Sequence, residues 1–279
     1  MSFSNTRNIG PIGIFDSGYG GLTILDSIQK RLPHYDYLYL GDNARTPYGT
    51  RSFDVVYQYT LESVKKLFEL NCQLIILACN TASAKALRTI QQHDLPRIDP
   101  TRRVLGVIRP TVEHIGNITQ TRHVGIVGTT GTVQSQSYEI EIAKLFPDIT
   151  IVSEACPMWV PLVENGEHLS PGADYFVEKN LNHLFIADPD IDTLVLGCTH
   201  YPLLIEKIRK YTPSTVSIII QGPIIADRLD DYLKRHATLA ERCSKNGTCH
   251  YLTTESVEKF ETSASIFINK DIKASHIIV

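Results

Sequence analysis

Short apolar runs recur along the chain, each closed by polar or glycine-rich residues and followed by helical spacing, and this alternation predicts a parallel α/β architecture. Ile12 to Phe15 reads as a first buried strand, Asp16-Ser17-Gly18-Tyr19-Gly20-Gly21 as a tight turn, and Leu22, Leu25, Ile28 and Leu32 as one face of a helix. Tyr37 to Leu40 is the next strand, followed by an irregular loop through Pro47-Tyr48-Gly49 and a helical stripe from Val56 to Phe68. Leu74 to Leu77 then runs into Ala78-Cys79-Asn80-Thr81, with a further helix behind it. A break is expected over Leu95 to Pro100, then a strand from Val104 to Ile108 ending at Arg109-Pro110.

Val124 to Gly128 opens a second series, and its ending, Thr129-Thr130-Gly131-Thr132, matches the Asp-Ser-Gly turn in position and polarity. The proline-punctuated stretch from Ala155 to Gly166 corresponds to the Pro47 region, and Leu194 to Leu196, ending at Gly197-Cys198-Thr199-His200, corresponds to the strand before Cys79. A strand over Val216 to Ile220, a last helix over Ile224 to Leu233 and a closing strand near His250 to Thr253 complete the pattern. The fold expected is two pseudo-symmetric three-layer α/β domains with mainly parallel sheets and a site in the cleft between them. Residues 1–105 with 220–279 form the first and 106–219 the second.

Composition narrows the class. A chain of 279 residues, 43% hydrophobic and 20% charged, builds a substantial core as an ordinary soluble protein. A net charge of -3 and the lack of a dense Lys/Arg run argue against nucleic acid and against a polybasic membrane patch. Six cysteines are too few for a disulfide scaffold at this length, which fits a reducing cytoplasm. Met1 to Ile9 is polar without an apolar h-region and no apolar stretch is long enough for a bilayer, so neither secretion nor insertion is expected. The short leader before Ile12 argues against an N-terminal regulatory extension.

The chemistry centres on two cysteines that each end a buried strand. A thiol starts from a pKa of ~8.5 and is lowered toward neutrality by a helix N-terminus or a histidine. Helices are expected to start just after both Cys79 and Cys198. Two thiols looking across one cleft suit a racemase or epimerase, one base removing a proton and the other returning it to the opposite face. Alone, a cysteine beside an apolar run is more often a buried hydrophobe, as expected of Cys72 and Cys156, and Asn80-Thr81 or Thr199-His200 can simply cap helices. Cys243, Cys249 and His250 lack zinc-ligand spacing, so no metal site is expected. Gly18 to Gly21 fails the dinucleotide fingerprint at Thr23, and no phosphate cradle is visible.

Four segments in order, Asp16-Ser17-Gly18, Gly41-Asp42 through Pro47-Tyr48-Gly49, Ala78-Cys79-Asn80-Thr81-Ala82-Ser83 and Gly197-Cys198-Thr199-His200-Tyr201-Pro202, resemble the glutamate racemases of the aspartate/glutamate racemase superfamily. The resemblance implies a cofactor-independent cytoplasmic homodimer that interconverts L- and D-glutamate for peptidoglycan. By the same resemblance Cys79 serves the D-enantiomer, with Asp16 assisting, and Cys198 the L-enantiomer, with His200 and Glu164. Asp16, Ser17, Pro47, Tyr48, Gly49, Asn80, Thr81, Thr199 and His200 are implied as substrate-binding; a plain turn or cap is the alternative for Asp16 and Ser17. Arg109 and Gln221 depart from the family pattern and are expected to touch none of the motifs. An aspartate or other amino-acid racemase remains open, as does an amino-acid-binding or redox protein in which the two thiols form a disulfide.

Overall fold

A computed structural model describes residues 9–279; the polar leader, apart from Ile9, lies outside the described residues. In chain order the elements are β1 (Ile12–Asp16), α1 (Gly21–Arg31), β2 (Tyr37–Gly41), α2 (Phe53–Glu69), β3 (Leu74–Leu77), α3 (Asn80–Lys85), α4 (Leu87–Thr89), α5 (Leu95–Ile98), β4 (Arg103–Gly106) and α6 (Ile108–Ile115). The second series holds β5 (His123–Gly128), α7 (Thr130–Gln134), α8 (Ser137–Leu145), β6 (Thr150–Ala155), α9 (Trp159–Glu164), α10 (Pro171–Ala187), β7 (Thr193–Gly197), α11 (Ile205–Tyr211) and β8 (Ser217–Ile219). The chain then adds α12 (Gln221–Arg235), α13 (Ala237–Ala240), β9 (Cys249–Thr253), α14 (Val257–Ile268) and β10 (Ala274–His276).

The strands form two parallel sheets, one ordered β10-β9-β2-β1-β3-β4 and the other β6-β5-β7-β8. Helices cover both faces of each, which is why the strands read as unbroken apolar runs rather than as alternating ones. Along β3, Leu74 and Ile76 enter one core while Ile75 and Leu77 enter the other; along β7, Leu194 and Leu196 are separated from Val195 in the same way. Side chains such as Ile14, Leu77 and Leu194 are fully buried, each stabilising the fold by ~1.5–3 kcal/mol.

Several boundaries differ from the sequence reading. The strand expected over Val104 to Ile108 stops at Gly106, and Ile108-Arg109-Pro110 forms the first turn of α6, where proline's missing N–H costs nothing. The break expected over Leu95 to Pro100 is helical as far as Ile98, through a π-helical turn at Ile90–Asp94, because Pro96 also sits in a first turn. The strand expected over Val216 to Ile220 is Ser217–Ile219. The helix expected to start at Ile224 starts at Gln221, and it is not the last: α14 follows, and β9 and β10 extend the first sheet beside β2. Among the described residues no helix is long and apolar enough to cross a membrane.

Candidate active site

Strand order places the site. The chain leaves β1 to add β2 on one side and then β3 on the other, so a crevice opens between the carboxyl ends of β1 and β3; β5, β6 and β7 repeat the arrangement. Pairing of Phe15 with Leu77 sets Asp16 and Ser17 beside Cys79, and pairing of Gly128 with Gly197 sets Thr129 beside Cys198. Both crevices open into one cleft, lined by Ser17, Cys79 and Asn80 from the first sheet and by Thr129, Cys198 and Thr199 from the second.

Cys79 caps the short helix α3. Its Sγ accepts from the Ala82 N–H at 3.4 Å and lies 3.3 Å from Ser17 Oγ. The expected lowering of this thiol toward neutrality does not occur: burial pushes it up to about 12, with the Asp16 carboxylate adding to the effect, so the proton stays on sulfur. Asp16 is itself buried, and burial raises its pKa. One oxygen accepts from the Gly18 N–H at 2.9 Å, while Oδ2 has no hydrogen-bond partner. A buried, unpartnered carboxylate oxygen favours retaining a proton.

The second thiol is built differently. No α-helix starts directly after Cys198; a turn through Thr199 and His200 leads into a 3₁₀ segment at Tyr201–Leu204, whose second residue is Pro202, and only then into α11. The neighbouring charge comes from a side chain instead. His200 Nδ1 lies 3.9 Å from Cys198 Sγ, and its Nε2 lies 3.0 Å from Glu164 Oε1, at the end of α9. Burial opposes a charged imidazole, yet the hydrogen bonds to Cys198 and Glu164 carry His200 up to about 10, so it is an imidazolium at neutral pH. The glycine turn permits the approach: a Cβ on Gly20 would stand 2.2 Å from Thr199 Oγ1 and 2.5 Å from His200 Nδ1.

The loop Thr46–Gly49, which contains a cis Thr46–Pro47 peptide, closes one end of the cleft. The Gly131 N–H donates to the Gly49 carbonyl at 2.7 Å, and Thr81 Oγ1 lies 2.9 Å from Thr129 Oγ1, so both halves touch there. Tyr48 donates its hydroxyl to Asp42, which also accepts from Arg45 Nε at 2.7 Å and Thr254 Oγ1 at 2.9 Å. Of the residues named from the sequence, Ser17, Pro47, Tyr48, Gly49, Cys79, Asn80, Cys198, Thr199 and His200 border the cleft, whereas Asp16, Thr81 and Glu164 stand behind them. Thr129, Thr130, Pro157 and Val160 border it without having been nominated. The signal for the threonines was the internal repeat, since Thr129 follows β5 as Ser17 follows β1. Cys156, expected in the core, is buried there and also reaches the cleft wall.

All six cysteines are free. Among the described residues one group of side chains, His123, Asp188 and Asp190, has metal-ligand proximity; His123 begins β5, at the end of the sheet opposite the cleft.

The sequence model of the Asp/Glu/hydantoin racemase family matches residues 22–229. A glutamate racemase of Ruegeria sp. (strain TM1040) is 36% identical over 271 residues, 94% of this chain and 97% of that protein. A glutamate racemase isoform from Bacillus anthracis superposes with a TM-score of 0.88 at 33% identity, covering 97% of this chain and 98% of its own. A Francisella tularensis glutamate racemase solved with D-glutamate gives 0.86 at 30% identity, again over 97% and 98%.

Proposed function

The chain belongs to the Asp/Glu/hydantoin racemase family, and we propose that it interconverts L- and D-glutamate through proton transfer between Cys79 and Cys198 on opposite faces of the α-carbon. The observation that carries this reading is the matched placement of the two thiols, each one or two residues beyond a central strand at a switch point, bordering one cleft.

In the L-to-D direction the Cys198 thiolate, beside the His200 imidazolium, takes the α-proton. The electron pair of the C–H bond stays on the α-carbon as a carbanionic transition state, and the Cys79 thiol delivers its proton to the other face. The thiols exchange protonation states, and the reverse reaction uses them in reverse order. Asp16 moves a proton beside Cys79, and Glu164 holds His200. Hydrogen-bond donors on Ser17, Asn80 and Thr199, with backbone from the Pro47-Tyr48-Gly49 loop, hold the substrate's carboxylates and offset the developing charge, and Thr81 supports this wall from behind through Thr129. No electron sink beyond these donors enters the reaction. The two working units are residues 1–105 with 220–279 and residues 106–219. The protein works in the cytoplasm as a homodimer and supplies D-glutamate for peptidoglycan.

The test is circular dichroism of L-glutamate incubated with the protein in deuterated buffer without added cofactor, beside Cys79→Ala and Cys198→Ala. Racemisation with deuterium at Cα, lost in both variants, is expected. Exchange of aspartate with glutamate left inert would transfer the assignment to a sibling racemase, and inert folded protein would overturn it. Sedimentation of the free protein checks the dimer.

A further inference from the structure

Gln221, the first residue of α12, stands where the chain crosses back from the second sheet to the first, and its side chain lies in a buried polar cluster with Asn80, Thr111 and Tyr138. The expectation that it touches none of the motifs is overturned here. Asn80 Nδ2 donates to Gln221 Oε1 at 2.6 Å, and Gln221 Nε2 lies 3.3 Å from Asn80 Oδ1, 2.9 Å from Thr111 Oγ1 and 3.0 Å from Tyr138 Oη. Tyr138 in turn donates to Asn80 Oδ1 at 2.8 Å.

The directions of these bonds are dictated from one end. Thr111 gives its hydroxyl proton to the Val107 carbonyl at 2.7 Å, so towards Gln221 it can only accept. That turns the Gln221 nitrogen to Thr111 and its oxygen to Asn80 Nδ2. The Tyr138 hydroxyl, accepting from Gln221, spends its own proton on Asn80 Oδ1. The amide of Asn80 therefore cannot flip without leaving buried donors facing donors. Its carbonyl is fully used, and one amide hydrogen remains on a residue that borders the cleft beside Cys79.

We propose that Gln221 is a positioning residue for the racemisation: through Thr111 and Tyr138 it locks the Asn80 amide so that a donor, never the carbonyl, is offered to an anionic group of the substrate. This rests on the reading of Asn80 as substrate-binding. The cluster draws on α3, α6, α8 and α12, so the same lock ties the substrate's donor to the junction of the two sheets.

The experiment is a double-mutant cycle on glutamate racemisation with Gln221→Met, Asn80→Ala and the pair, each checked by thermal melting. Gln221→Met is expected to lower kcat/KM by about 10- to 100-fold when Asn80 is present and by less than about twofold when it is already alanine, an interaction that simple loss of stability would not produce. An equal loss in both backgrounds, or none in either, overturns the proposal. Should Gln221→Met fail to fold, Tyr138→Phe, which withdraws the proton given to Asn80 Oδ1, completes the same cycle. A silent Asn80→Ala would overturn the assignment of Asn80 to the substrate and the positioning role with it, whereas a damaging Asn80→Ala beside a silent Gln221→Met overturns the positioning role alone.

Discussion

The two thiols occupy equivalent places in a repeated fold and lie in unlike surroundings. Cys79 is 6% exposed and Cys198 7%, so access does not separate them. What separates them is charge. Cys79 has backbone and hydroxyl partners and a neighbouring carboxyl group, and burial keeps its proton in place. Cys198 has an imidazolium held by Glu164. The two walls of the cleft therefore differ at rest: on one the Cys79 thiol keeps its proton, and on the other an imidazolium stands beside the sulfur of Cys198. The lesson is that topology duplicates position, while the protonation state follows from the few charged groups within ~4–6 Å.

The comparison breaks most sharply at His200. His200→Asn is expected to lower kcat/KM for glutamate by about 10²–10⁴-fold, measured by circular dichroism. Because the enantiomers have equal free energy, the loss in kcat/KM must be the same from either side; any inequality between the walls shows only in the separate kcat values. Near-normal activity in His200→Asn would mean that the imidazolium is not what distinguishes the Cys198 side.

Alkylation by iodoacetamide, followed by peptide mass spectrometry, sharpens the contrast without turnover. Cys198 is expected to react at least about tenfold faster than Cys79, and His200→Asn should abolish the difference. Equal rates in the unaltered protein would place the asymmetry elsewhere.

Glu164→Gln probes the support of the imidazolium and should have a milder effect, about tenfold near pH 9 and less at neutral pH. Glu164 raises the pKa of His200, so its loss lowers that pKa, and the alkaline limb of the pH–rate profile should move to lower pH. The sign for stability is the same: a raised histidine stabilises the fold fully below its unfolded pKa of ~6.5, and the contribution is lost as pH rises through about 10. An unmoved alkaline limb would show that another group sets it.

The smallest effects compare the scaffolds of the two halves. Before β2, Asp36 accepts from the Thr248 N–H at 2.9 Å and from Asn246 Nδ2 at 2.7 Å; before β7, Asp192 accepts from the Gln120 and Thr121 N–H groups at 2.6 and 2.7 Å. Despite burial, these bonds hold both carboxylates low, Asp192 at about 2. Asp36→Ala and Asp192→Ala should each cost ~1–3 kcal/mol in urea unfolding at neutral pH. Depressed carboxylates stabilise above an unfolded pKa of ~3.9 and lose that contribution as pH falls toward the folded value, so the gap between variant and parent should narrow at pH 3. A constant gap would mean that the carboxylates contribute through packing rather than charge.

The main strands and helices were legible because runs such as Leu74-Ile75-Ile76-Leu77 belong only in a sheet covered on both faces, and because glycine and proline punctuate them. Boundaries are least legible at proline, which marks a stop in sequence but is tolerated in a first turn, where Pro110 and Pro96 both sit. The alternation of the chain makes the cleft at the strand ends legible too, and the same repeat points to Thr129, which follows β5 as Ser17 follows β1. Gln221 is invisible to a linear reading because it lies 141 residues from Asn80.

Pattern along the chain was enough to set two parallel sheets, the strands that end in Cys79 and Cys198, and the polar turns beside them, because periodicity and turn chemistry are local and each strand carries its own burial code. Which strands became neighbours, which carboxyl groups were left in a dry interior, and which amide was locked in one orientation were decided only in three dimensions. Desolvation, hydrogen-bond direction and charge depend on what surrounds an atom, and at this site those surroundings come from segments more than a hundred residues apart: Glu164 facing Gly18, His200 facing Gly20, and Gln221 facing Asn80.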